Sequence, residues 1–240
     1  MAQEQNIFEE LAPYARLTVV PGISVGQLNF VSQSDLYYTC AATFTSGAVG
    51  ANTTLQFYQG ALGDAATNAG YASGTLSTSQ TSSRFPRGQA PANQCFVAVS
   101  AGFSINTLTS LALDTGNPVA GLLTDPDDLY ALAHQFSWDL TIGRGITRTI
   151  GTLASYCGPD AITISQNDTA SPTTNGYNGT VQLGKPGVGF TKLKVPIVFP
   201  PLVNVSITAQ NGSPFTLQSA ASINVQFRLS LRGYLMTMPV

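Results

Sequence analysis

The chain has one histidine, His134, and proton-transfer chemistry near neutral pH would fall to it first. An imidazole base needs a nucleophile to deprotonate and an acid to orient its ring, and no G-x-S-x-G elbow supplies the nucleophile. His134 follows Leu129, Leu132 and Ala133 at helical spacing, so a partly buried helix histidine with a satisfied ring is the favoured reading. Asp125, Asp127 and Asp128 form an acidic cluster that in principle holds Ca2+. They also surround Pro126, and an N-cap acceptor, a first-position proline and first-turn acids explain them without an ion. Cys40, Cys95 and Cys157 are an odd number without C-x-x-C spacing. Free, mostly buried thiols are the better expectation.

Other chemistry is weaker still. Glutamate occurs only at Glu4, Glu9 and Glu10, so a glycosidase pair would have to come from aspartates, and no spacing singles one out. Gly184-Lys185-Pro186-Gly187-Val188-Gly189 lacks Walker spacing and the following Ser or Thr. Gly143-Arg144-Gly145-Ile146-Thr147-Arg148 puts two arginines near Asp139, a set able to touch a phosphate or simply to turn between strands. The tyrosines are scattered and Trp138 is alone, a distribution of core and interface filler rather than a stacking groove. We expect a non-enzyme with no catalytic residue, no cofactor and no metal.

Composition narrows the classes further. Over 240 residues, 43% are hydrophobic but only 9% are charged, against a usual share of about 25%. Intrinsic disorder requires the opposite balance. Ten basic residues face twelve acidic ones, so no basic excess drives counterion-release binding to nucleic acid. A monomer of this size exposes roughly 10,000 Å², far more than these charges cover. Because buried interface cores are depleted in Lys, Glu and Asp, the surface reads as built to meet neighbours. A neutral, Ser/Thr-rich secreted β protein is the competing reading. The first residues have neither a basic n-region nor an apolar h-region and do not read as a secretory signal. No apolar run reaches the roughly 18 residues of a membrane span.

The elements that would position these residues are mostly strands. Ile223, Val225, Phe227, Leu229 and Leu231 alternate with polar residues, as do Val203, Val205 and Ile207. Two long antiparallel strands therefore close the chain. Leu36, Tyr38, Cys40, Ala42 and Phe44 repeat the pattern near the start. Residues 17–31 read as strands broken at Pro21-Gly22 and Gly26, residues 53–58 as a short strand, and 94–105 as a longer, mostly buried one. Residues 60–88 and 166–179 read as long polar loops, the first with a weak edge strand. Helix signals are confined to the Asp125 segment and to the N-terminus, where Asn6 and Glu9 resemble a capping box and Pro13 limits the helix to a turn or two. The expectation is all-β: a sandwich or jelly roll of about 8–10 strands with two short helices. An N-terminal arm (1–16) would precede a single domain (17–240).

The order of elements carries a resemblance. The arm, strands and polar loop lead to Phe85-Pro86-Arg87-Gly88-Gln89-Ala90-Pro91 and a buried strand. The Asp127-Asp128-Leu129 helix and the strand Phe136-Ser137-Trp138-Asp139-Leu140 follow, and Pro196-Ile197-Val198-Phe199-Pro200-Pro201 leads into the closing strands with Leu231-Arg232-Gly233-Tyr234. This resembles the jelly-roll capsid proteins of icosahedral, tailless bacteriophages, from about Leu17 to Val240. The resemblance implies a viral structural protein, a self-assembling shell subunit of the virion, made in the host cytoplasm. Its partners would be copies of itself, commonly as trimeric capsomers, and other virion proteins. The arm holds Glu4, Glu9 and Glu10 and no basic residue before Arg16, so direct nucleic-acid binding is not expected. That leaves room for a lipid layer or another protein beneath the shell. The alternative is a phage receptor-binding, host-attachment or lectin-like module.

The arm also supplies the candidate assembly interface. Ile7, Phe8, Leu11 and Tyr14 fall at i, i+1, i+4 and i+7, one face of a short helix, with Glu9 and Glu10 facing elsewhere. So short a helix needs cover, from its own sandwich or from a neighbouring subunit or underlying layer, and we expect the neighbour.

Overall fold

A computed structural model describes residues 10–85, 88–107, 126–145, 147–156, 162–167, 178–183, 190–217 and 223–239. In chain order the strands are β1 (Thr18–Val20), β2 (Ile23–Ser24), β3 (Asn29–Phe44), β4 (Ala48–Val49), β5 (Thr54–Phe57) and β6 (Gln94–Thr107). The helix α1 (Pro126–Gln135) precedes β7 (Phe136–Ile142), β8 (Arg148–Thr152), β9 (Ile162–Asn167) and β10 (Asn178–Leu183). Then come β11 (Thr191–Phe199), β12 (Val205–Asn211), β13 (Phe215–Thr216) and β14 (Ile223–Thr237). The chain is all-β in character, as its alternating hydrophobicity requires.

Two four-stranded antiparallel sheets dominate, ordered β11-β6-β14-β3 and β5-β12-β7-β8. Their pairings are nested in sequence. β3 pairs with β14, β5 with β12, β6 with β11 and β7 with β8, each outer pair enclosing the next. The cross-pairings β14–β6 and β12–β7 then join the outer pairs to the inner ones within each sheet. The two closing strands form, but they lie in opposite sheets: β12 belongs with β5 and β7, β14 with β3 and β6. The periodicity was sufficient to place each strand; its partner depended on residues far upstream.

The sheets share one apolar core. From β14, Val225, Phe227, Leu229 and Leu231 point into it, and from β3, Leu36, Tyr38, Cys40 and Phe44. Phe227 lies 5.8 Å from the ring of Phe136 on the opposing sheet and also meets Phe44 and Phe103. The buried hydroxyl of Tyr58 shares its proton between the carbonyl oxygens of Leu36 and Leu229, at 2.9 and 3.0 Å, holding two neighbouring strands together.

A second apolar cluster lies on the other face of the β3/β14/β6/β11 sheet. Cys95, Val97, Val99, Val198, Tyr234 and Met236 are covered by Leu11, Val19, Val25 and Leu28 of the N-terminal segment. Two bulges make this two-sided burial feasible. In β6 the register slips at Val99, so Phe96 and Ala98 face inward before the slip, and Ala101 and Phe103 after it. A comparable slip at Val31 lets Phe30 pack outward while Leu36 packs inward. A one-residue insertion exchanges the faces of a strand with period two. Opposite Val99 stands Gly233, where a Cβ would fall 2.1 Å from the carbonyl oxygen of Val97, so only glycine fits.

The long loop 60–88 has no extended strand of its own among the described residues. Its stretch 77–83 runs along the free edge of β3: Tyr38 bridges Thr81, the Thr39 amide donates to Gln80 O, and the Ser82 amide donates to Tyr37 O. That occupies an edge which would otherwise be open to pairing. The second predicted loop is shorter than expected, because β9 and β10 take both of its ends; residues 168–177 lie outside the described residues. The helix at Pro126 forms as its caps predict. Near the N-terminus, Glu10 and Leu11 are helical and run into a 3-10 turn over Ala12–Tyr14.

Candidate interaction surfaces

His134 lies exposed on α1, more open than its sequence position suggested, and Asp128 is buried in the helix's first turn. Asp125 lies outside the described residues. Among the described residues, no three His, Cys, Asp or Glu side chains converge to hold a metal ion. Cys40 and Cys95 are free and buried, and Cys157 lies outside the described residues. Desolvation raises the Cys95 pKa to about 12 and pushes the Cys40 thiol higher still, which keeps both protonated and unreactive.

The four arm residues separate. Ile7 and Phe8 lie outside the described residues. Leu11 is buried against the chain's own sheet, and the Tyr14 hydroxyl donates to Leu193 O at 3.3 Å on β11. Glu10 does not face away: its carboxylate accepts a hydrogen bond from the Tyr234 hydroxyl. Burial first, and then that carboxylate, raise the phenol's pKa. The visible end of the arm is therefore anchored within its own subunit.

Charge is distributed unevenly over the described surface. Arg16, Arg84, Arg144, Arg148, Lys192 and Lys194 are all exposed. The described acids are largely engaged or drawn inward. Asp64 accepts from the Ala61 amide at 2.7 Å, Glu10 binds Tyr234, and Asp35 takes a two-pronged contact from Arg232 at 3.1 Å. Asp128 is buried and Asp139 half-buried.

Three of those cations gather at one end of the sandwich. Gly143 donates its amide to Asn204 O at 2.7 Å, which sets the β7–β8 turn, with Arg144 and Arg148, beside the β11–β12 turn. The Leu202 amide donates to Ala90 O at 2.9 Å, and the ring of Phe85 meets that of Phe199, which brings Arg84 to the same end. At the tip of the β11–β12 turn Leu202 is 67% exposed with φ +57°. Few side chains adopt that left-handed conformation cheaply, and a branched apolar one facing water gains nothing there. The sequence marked this turn only through Pro200 and Pro201, which told where a strand must stop but not what the tip would display. Elsewhere, Val195 is 62% exposed on β11 between Lys194 and Pro196, a charged and kinked sheet edge of the kind that resists pairing.

Comparison with family models, with curated proteins and with solved structures finds no match for this chain.

Proposed function

We propose that the chain is a shell subunit of an icosahedral virion, folded as one jelly roll over residues 17–240. The observation that carries this reading is the nested strand pairing: β3/β14 around β5/β12 around β6/β11 around β7/β8. A long hairpin of four such pairs, rolled into two facing sheets, is the connectivity of a jelly roll, an architecture used repeatedly in viral shells. The charge-poor composition supports it, since an enclosed subunit meets neighbours on several sides. The element order that resembles tailless-phage capsid proteins supports it too. Fold alone does not assign function, so the reading rests on the surface as much as on the topology.

On this reading the partners are copies of the chain, commonly as trimers, together with other virion proteins, and no side chain performs catalysis. Substituting His134→Ala should leave assembly unchanged. Light scattering on the purified chain tests the main claim: it should report particles of many subunits, and a stable monomer at all concentrations would refute it.

A further inference from the structure

We propose that the end of the sandwich bearing Leu202, Arg84, Arg144 and Arg148 docks onto an anionic lipid bilayer. Two independent features point there. Leu202 holds an exposed, branched apolar side chain at φ +57°, where Gly or Asn would sit without strain. A contact outside the subunit would offset the cost in both backbone and solvation. Around it, the segments 84–93, 143–148 and 200–204 contain no Asp or Glu, while Arg84, Arg144 and Arg148 are exposed. These segments thus set an apolar tip beside exposed cations, with the neighbouring acids Asp64 and Asp139 half-buried.

That pairing of chemistries fits a bilayer surface better than a nucleic acid. Guanidinium groups seek lipid phosphates, and an apolar tip gains from entering the acyl boundary. A nucleic acid offers little to a lone leucine, and the one described aromatic ring of the three segments, Phe85, is buried against Phe199 rather than open to a base. The charge attraction is modest for one copy, about fivefold in partition per arginine. An array of copies presenting the same end would bind far more firmly. The inference does not depend on the shell reading, because a single subunit already carries the whole face.

The test is co-sedimentation with vesicles of phosphatidylglycerol and phosphatidylcholine in equal parts, against vesicles of phosphatidylcholine alone, at low and high salt. The intact chain should bind the anionic vesicles and release them as salt rises. Leu202→Gly should bind about tenfold more weakly while melting no lower than the parent, because glycine accepts the left-handed backbone. Arg144→Gln with Arg148→Gln should weaken binding further, with an unchanged melt. Binding indifferent to phosphatidylglycerol, or unaffected by Leu202→Gly, would overturn the proposal. So would a marked loss of melting temperature in Leu202→Gly, which would make Leu202 a structural residue. Retention on single-stranded nucleic acid without vesicle binding would assign the arginines to that partner instead. If vesicle binding succeeds and the chain never assembles, the docking face stands and the shell reading falls.

Discussion

The two apolar clusters of this molecule are built differently, although they share the same sheet. The inter-sheet core is rich in aromatic rings: Tyr38, Phe57, Tyr58, Phe96, Phe136, Trp138, Phe199 and Phe227 are all fully buried there. Strands from the two ends of the chain meet in it, so it forms only when the whole nested pairing forms. The outer cluster is mostly aliphatic and sulfur-bearing, with one ring pair, Phe30 against Tyr234. Its cover is the short segment 10–28, whose strands β1 and β2 pair only with each other among the described residues. Its described polar anchors to the sheet, Glu10 to Tyr234 and Tyr14 to Leu193, are few. The inner core therefore defines the fold, and the outer cluster seals one face of it. Local openings are expected to begin at the outer cluster, where backbone pairing to the sheet is sparse.

The sharpest way to break this comparison is to empty each cluster in turn. Phe227 meets the rings of Phe44, Phe103 and Phe136. Phe227→Ala should cost about 3–5 kcal/mol and cooperatively destabilise both sheets, read by urea denaturation. Among the described residues, removing 1–15 takes one buried member, Leu11, from the outer cluster. We expect a loss of about 2–3 kcal/mol, with circular dichroism retained. The melt should fall modestly rather than stay constant, because Leu11 packs on its own sheet. A thiol reagent should then reach Cys95 faster while Cys40, enclosed between the sheets, stays protected. Equal exposure of both thiols would show that the two clusters are one cooperative unit.

Alkaline pH sharpens the same contrast. Burial raises Cys95 from 9 to about 12, and Tyr38 and Tyr71 from 10 to about 12. These groups are neutral when protonated, so the unfolded chain releases its protons first as pH rises. Stability is intact below pH 9 and declines between 9 and 12, by at most about 1.4 kcal/mol per pH unit for each group within its window and by less for the half-buried Tyr71. In the truncated chain the Cys95 share of that decline should shrink, because its thiol is less desolvated, while the Tyr38 and Tyr71 shares persist. Thermal melts at stepped pH values measure both. The smallest effect belongs to neither cluster. Asp35 and Arg232 pair on the exposed face of the sheet, and Asp35→Asn should cost less than about 1 kcal/mol, with a loss that vanishes in high salt.

How much of this was legible beforehand depends on the range of the forces involved. Alternation over residues 36–44 and 225–231 identified the inward-facing Leu36, Tyr38, Cys40, Phe44, Val225, Phe227, Leu229 and Leu231, because period two is a local property. The α1 start was legible through Pro126 and its neighbouring acids for the same reason. The allocation of β12 and β14 to opposite sheets was not, since it depends on β5, β7, β3 and β6. The nearly continuous apolar run Cys95-Phe96-Val97-Ala98-Val99 already signalled a strand buried on both faces. What it lacked was the identity of the second cover, the segment 10–28. Leu202 was unreadable for a different reason. A leucine after two prolines looks like a strand end, and its exposure and positive φ exist only once three turns converge.

Electron microscopy of the purified full-length chain tests the shell reading most directly. Closed particles of uniform size and icosahedral outline are expected, assembled without any added nucleic acid. Dispersed single subunits of 25.1 kDa under every condition that preserves the fold would contradict it.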